Sequence, residues 1–269
     1  MIAGEERIRA AFAAAQAEGR AALMPYMMAG FPDRESGLAV AAAYVDAGAD
    51  LIELGVPFSD PLADGPTIHS ADTQALAEGA TLRTALETCE AVSADIPVVL
   101  MVYVNMILAH GGAAEFARLA RAAGAAGAIV PDLPLGEAEE IRDAFTDAGL
   151  AMVPLIAPTT SPERRAAIAK VARGFIYLVS TTGTTGERGE LPPALRRLVA
   201  DTKADAGETP VAVGFGIGTA AQAAEVGKVA DGVIIGSRLV RAAGEGATPG
   251  ESADAVADFL AETRVSLAG

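Results

Sequence analysis

Short apolar runs rich in branched residues alternate along the chain with longer Ala-rich stretches whose apolar positions recur at helical spacing. The strand-like runs fall at residues 23–29, 51–54, 98–103, 128–130, 152–156, 175–179, 211–213 and 233–235. Each is followed by a turn or loop and then a helix-like segment, such as 35–47 after the first and 220–228 after the seventh. This is the βαβα rhythm of a parallel sheet. An open doubly wound sheet would show the same alternation, but the count of eight favours closure into a (β/α)8 TIM barrel, one domain spanning residues 1–269.

Two helices are added to the simple repeat. Residues 5–17 precede the first strand and are placed to plug the bottom of the barrel, and residues 68–78 lie between the second strand and its return helix. The second extra helix follows a loop over 55–67, and loops longer than about 12 residues inside compact domains are usually functional. No Pro/Ser-rich linker interrupts the rhythm, and only Ala268 and Gly269 are expected to fray.

Composition narrows the class. Of 269 residues, 51% are hydrophobic but only 4% aromatic and none is Trp, so the core must be built from Ala, Val, Leu and Ile. A net charge of −15 repels nucleic-acid phosphates and anionic membranes at long range, so any phosphate must be bound locally. Cys89 is the single cysteine; no intrachain disulfide can form, and a small buried apolar residue is expected there. No apolar run approaches the roughly 20 residues of a membrane span, and residues 1–19 carry charges in a helical pattern. The expectation is a soluble, cytoplasmic protein.

The densest chemistry lies at Leu51-Ile-Glu-Leu-Gly-Val-Pro-Phe-Ser-Asp-Pro-Leu-Ala-Asp-Gly-Pro-Thr67. Glu53 sits inside an apolar strand, where a carboxylate costs free energy unless it is paired or functional. Burial should raise its pKa toward the range a general acid/base needs near neutral pH. A structural salt bridge is the plainer alternative for Glu53. Asp60 and Asp64 follow in a loop restricted by Pro and Gly; on turn preferences alone, Asx-turn caps account for them as well.

Glycine-containing loops follow the last three strand runs: Gly183-Thr-Thr-Gly186, Gly214-Phe-Gly-Ile-Gly218 and Gly236-Ser237. Loops after the seventh and eighth strands are the usual phosphate site of barrels, because glycines let backbone N–H groups reach the oxygens. Ser237, at a helix start, could both cap it and donate to phosphate. Residues 180–191, rich in Thr and Gly with a Glu187-Arg188 pair, suit a lid. Tyr177, near the end of the sixth strand, reads equally well as a β-former filling the barrel mouth.

The stretch from Glu53 to Pro66 resembles the signature of tryptophan synthase alpha subunits, and so do Pro25-Tyr-Met-Met-Ala-Gly-Phe-Pro32, Tyr103-Val-Asn105, Pro131-Asp-Leu-Pro134, Gly183-Thr-Thr-Gly186 and the two glycine loops near the C-terminus. The resemblance implies retro-aldol cleavage of indole-3-glycerol phosphate to indole and D-glyceraldehyde 3-phosphate, a lyase step of tryptophan biosynthesis. It assigns Glu53 as the general acid/base, Asp64, fixed and ionised, to the indole ring nitrogen, and Tyr177 to the border of substrate and Glu53. Gly186, Gly216, Gly236 and Ser237 would bind the phosphate, and Thr185 would meet Asp64 when the lid closes. Three positions depart from the family: Phe is common where the pocket residue Tyr26 stands, Val where Thr184 stands, and Thr181 replaces an Arg of some members.

The resemblance also implies a beta-subunit partner carrying pyridoxal phosphate, in an alpha2-beta2 complex, with Pro57, Asp60 and Asn105 on the shared face and no cofactor in this chain. Other barrel chemistries lack their reagents. Lys170, Lys203 and Lys228 fall in helix-like stretches, which disfavours a Schiff base, and His69 and His110 lack ligand spacing, which disfavours a metal. His69 reads as a surface or capping residue. The rivals that remain are a stand-alone indole-3-glycerol phosphate lyase, another phosphate-binding barrel such as an isomerase or epimerase, and a silent barrel kept as an allosteric partner.

Overall fold

All eight strand runs anticipated from the sequence form parallel strands in the computed structural model, which describes residues 3–179, 191–214 and 216–269. In chain order the segments are β1 (Ala22–Met28), β2 (Ile52–Gly55), β3 (Val98–Met101), β4 (Gly127–Ile129), β5 (Ala151–Val153), β6 (Leu155–Ile156), β7 (Ile176–Val179), β8 (Val211–Gly214) and β9 (Gly232–Ile235). They pair in the order β5-β4-β3-β2-β1-β9-β8-β7-β6. The run expected over 152–156 is broken at Pro154, which has no N–H to give to a ladder. Its first half pairs with β4 and its second with β7, and the Pro154 carbonyl accepts the Tyr177 N–H at 3.0 Å. β5 and β6 are therefore one barrel strand, and the ring of eight closes through it.

The helices described are α1 (Ala3–Ala17), α2 (Arg34–Asp46), α3 (Pro66–Ala77), α4 (Leu82–Val92), α5 (Val104–Ala109), α6 (Gly112–Ala122), α7 (Glu139–Asp147), α8 (Pro162–Val171), α9 (Pro193–Ala206), α10 (Ala220–Gly227), α11 (Ser237–Glu245) and α12 (Pro249–Leu267). Two bounds shift for local reasons. α3 starts at Pro66, two residues before the expected start, because proline's fixed φ and missing N–H suit the first helical position. Ser237 is the first residue of α11, with Gly236 as its N-cap and no side-chain cap bond, so the expected capping role of Ser237 is corrected.

Alternation along the strands divides the core in two. Leu23, Ile52, Leu54, Leu100, Ile176, Val211 and Val213 face the helix layer in the main cluster. Met24, Leu51, Val99, Ile129, Val153, Phe175, Ala212 and Ile234 fill the barrel, joined from below by Ile8, Phe12 and Ala15 of α1. Phe12 meets Phe175 with ring centroids 5.6 Å apart, and a Cβ on Gly232 would lie 2.9 Å from the Phe12 ring. α1 thus plugs the bottom, as expected, and truncating Phe12 to Ala would cost about 3–5 kcal/mol in such a site. With α1 filling the bottom, the cavity among the barrel strands opens at their C-terminal ends.

Candidate active site

The same alternation settles which way Glu53 points. Leu51, one strand step earlier, packs in the barrel interior, while Ile52 and Leu54 face the helices, so Glu53 points inward one layer above Leu51. It lines a cavity of about 210 Å3 together with Tyr26, Asp64, Tyr177, Gly216, Gly236 and Ser237. Ile68, Met101, Ile129, Leu155, Val179, Ile217 and Ile234 supply the apolar walls. The carboxyls and the glycine loops line one common slot, which suits an apolar ring carrying an anionic tail.

Glu53 is 2% exposed and its Oε2 has no hydrogen-bond partner among the described residues. Burial pushes its carboxyl up to about 8, and the negative charge of Asp64 adds to the rise. This places its proton within reach of neutral-pH chemistry. Asp64 is held by the Tyr103 hydroxyl, which donates to its Oδ2 at 3.0 Å. Burial also raises Asp64, against the lowering effects of the Tyr103 bond and of nearby His69. Asp64 is thus tethered by one hydroxyl, in surroundings that work against its charge.

Two tyrosines flank Glu53. Tyr26 stands in register with it on the neighbouring strand, and its buried hydroxyl has no partner among the described residues. Tyr177 rises from β7 into the cavity. Each hydroxyl is shadowed by a glycine at a strand end: a Cβ at Gly55 would lie 2.3 Å from the Tyr26 oxygen, and one at Gly214 would lie 2.5 Å from that of Tyr177. No larger residue fits at either position without moving a ring.

On the other side of the slot Gly216 has φ +43, a left-handed conformation that a side chain would strain. Gln222 braces this loop, its Oε1 accepting the Gly218 and Thr219 N–H groups at 2.8 and 3.2 Å. At Gly236 the start of α11 has no side-chain cap among the described residues, so no side chain competes with an anion for the N–H groups of Ser237 and Arg238, while Leu239 N–H turns back to the Gly236 carbonyl. Gly186 and Thr185, with Thr181, Thr184 and the Glu187-Arg188 pair, lie outside the described residues.

Of the residues assigned to a shared face, Asp60 and Asn105 are exposed near the mouth, whereas Pro57 is buried within the chain and shapes the loop. Sequence reasoning missed Leu62, 89% exposed on the same loop, and Leu108, 55% exposed on α5. It also missed roles for Tyr103 and for Asp72, a buried residue of α3 whose Oδ1 accepts the Phe58 N–H at 3.1 Å. Cys89 is buried and its thiol is pushed up to about 12. Lys170, Lys203 and Lys228 sit on or just after outer helices, and none lines the cavity. Among the described residues no three His, Cys, Asp or Glu side chains converge as a metal-ligand set, and no helix is long and apolar enough to cross a membrane.

A closed parallel barrel with a protonatable carboxyl buried at its catalytic end defines a (β/α)8-barrel enzyme built for acid–base chemistry. Residues 12–266 match the family described as tryptophan synthase alpha chain. The alpha chain of Deinococcus radiodurans is 46% identical, covering 94% of each chain, and that of Roseiflexus castenholzii 47% identical, covering 94% of this chain and 97% of that one. A solved structure of Mycobacterium tuberculosis tryptophan synthase superposes with a TM-score of 0.89 at 40% identity, covering 97% of this chain and 98% of that one. The chain belongs to the tryptophan synthase alpha chain family. It is accordingly a lyase of tryptophan biosynthesis, and its activity is the alpha reaction, cleavage of indole-3-glycerol phosphate.

Proposed function

We propose that Glu53 alone carries both proton transfers of the cleavage, with Asp64 stabilising the charge that forms between them. Protonated Glu53 delivers its proton to indole C3, giving an indolenine-like cation. Asp64 accepts the ring N–H and offsets the positive charge. Glu53, now a carboxylate, removes the proton from the hydroxyl on the carbon attached to C3. The carbon–carbon electrons return to the ring, releasing indole and D-glyceraldehyde 3-phosphate and leaving Glu53 protonated again. Tyr177 borders Glu53 and the glycerol chain and keeps the carboxyl aimed at the slot.

The phosphate is assigned to the backbone N–H groups at Gly216, Gly236 and Gly186 and to the Ser237 hydroxyl, with Thr185 closing over Asp64. Neutral amides and the dipole of α11 let an acidic chain hold an anion. Tyr26 forms part of the indole wall. The chemistry needs no cofactor in this chain, and residues 1–269 act as one barrel domain in the cytoplasm.

Family membership implies a beta-subunit partner. We infer an alpha2-beta2 tetramer in which pyridoxal phosphate belongs to the beta subunit, docked where Asp60 and Asn105 stand beside the exposed Leu62 and Leu108. Leu62 adjoins the cavity-lining Ala63 and Leu108 lies on α5, the helix that follows β3, and both offer exposed apolar surface that a partner would cover.

The single observation carrying this reading is Glu53, buried, without a hydrogen-bond partner for Oε2 among the described residues, and raised to about 8 in the same cavity as Asp64. Its test is Glu53→Gln with indole-3-glycerol phosphate: full activity removes Glu53 from the mechanism. Indole release measured with and without a beta subunit separates a subunit, which is strongly stimulated, from a free lyase, which is not.

A further inference from the structure

Ten residues, 56–65, join β2 to α3 and carry Asp64. Two side chains from elsewhere fasten this loop. Near its end, the Tyr103 hydroxyl accepts the Ala63 N–H at 3.0 Å while donating to Asp64 Oδ2. Near its beginning, Asp72 Oδ1 accepts the Phe58 N–H at 3.1 Å. The two anchorages are linked, because the Phe58 ring lies against that of Tyr103 with centroids 5.3 Å apart and a 30° tilt. A continuous line of contacts therefore runs from Asp72 through Phe58 and Tyr103 to Asp64.

Asp72 is an expensive residue for its place. It is 2% exposed, lies on the buried stripe of α3 with Ile68, Ala71 and Ala75, and leaves its Oδ2 without a partner among the described residues. A buried carboxyl bonded to one backbone N–H costs the fold more than an apolar residue in the same space would. What the carboxyl supplies is the acceptor that ties Phe58 to the helix.

We infer that Asp72 is a positioning residue for Asp64, acting through Phe58 and Tyr103, and so sets recognition of the substrate's ring N–H. The inference rests on the assignment of Asp64 to the ring nitrogen. Its test compares two non-cleavable probes, 3-(indol-3-yl)propyl phosphate and the benzothiophene analogue in which sulfur replaces the ring N–H. The unaltered protein should bind the indole probe about ten- to hundred-fold more tightly, the range of a hydrogen bond to a charged group. Asp72→Ala should bring that ratio close to one, leave the benzothiophene affinity within about twofold, and lower kcat/KM for cleavage about ten- to hundred-fold, as displaced catalytic groups do. Asp72→Asn, which keeps an acceptor for Phe58, should restore the ratio.

If the alanine variant does not fold, Asp72→Leu fills the same space without an acceptor and reads the same ratio. A preserved ratio in the acceptor-less variant, or an equal loss for both probes, overturns the inference and makes Asp72 merely structural. If the unaltered protein shows no preference between probes, the assignment of Asp64 itself falls.

Discussion

Replacing Glu53 by Gln should make the protein more stable as the pH rises, and the size of the gain follows from the burial of the carboxyl. The ordinary value near 4.5 rises to about 8 in the fold, so the native state binds this proton more tightly than the unfolded chain does. A carboxyl raised in this way contributes its full stability below pH 4.5 and loses it as the pH climbs through about 8. At about 1.4 kcal/mol per pH unit, ionisable Glu53 is worse than a neutral side chain by about 3 kcal/mol at pH 7 and about 5 kcal/mol above pH 8. The amide leaves an unpartnered N–H, an offset of about 1 kcal/mol that does not change with pH. Urea unfolding of parent and variant at pH 5 and pH 9 isolates the titrating part, because groups that do not interact with Glu53 cancel in the difference and Asp64, which does, adds only a smaller contribution than burial. The stability difference should widen by about 4 kcal/mol between those pH values. A widening below about 1 kcal/mol would refute the claim that Glu53 is held protonated by burial.

Activity should follow the same proton. The kcat/KM of the isolated chain should fall as the pH rises through about 8, since the protonated carboxyl begins the reaction; a profile flat from pH 7 to 9 contradicts this. Tyr26→Phe removes a buried hydroxyl that has no partner among the described residues, so it should raise stability by about 1 kcal/mol in urea unfolding and retain cleavage. A loss of stability would mean that the hydroxyl is bonded. Gly214→Ala places a Cβ 2.5 Å from the Tyr177 oxygen, and should cost about 1–3 kcal/mol while lowering kcat/KM through displacement of that ring. Unchanged kinetics would show that Tyr177 has no part in the site.

The strands were legible because a parallel sheet covered on both faces writes each strand as a short, continuous apolar run. That same property hid the direction of Glu53, since a run apolar at every position does not say which residues face inward. Only the placement of Leu51 in the barrel cluster, with Ile52 and Leu54 in the outer one, resolves it. The split at Pro154 and the start of α3 at Pro66 follow from proline chemistry visible in the sequence but outweighed by the apolar pattern around them. Tyr103 was out of reach because its bonds to Ala63 and Asp64 join segments about 40 residues apart. Asp72 did leave a signal. It occupies an apolar stripe with Ile68, Ala71 and Ala75 at helical spacing, where a carboxylate needs a reason.

The most direct test of the account is a stoichiometric assay of the purified chain on indole-3-glycerol phosphate, with parent and Glu53→Gln compared under identical conditions. Carboxylate catalysis requires indole and glyceraldehyde 3-phosphate to appear in equal amounts with the parent and no detectable indole with the variant, while both bind the non-cleavable indole probe. Cleavage by Glu53→Gln at the parent's rate would contradict the account at its centre.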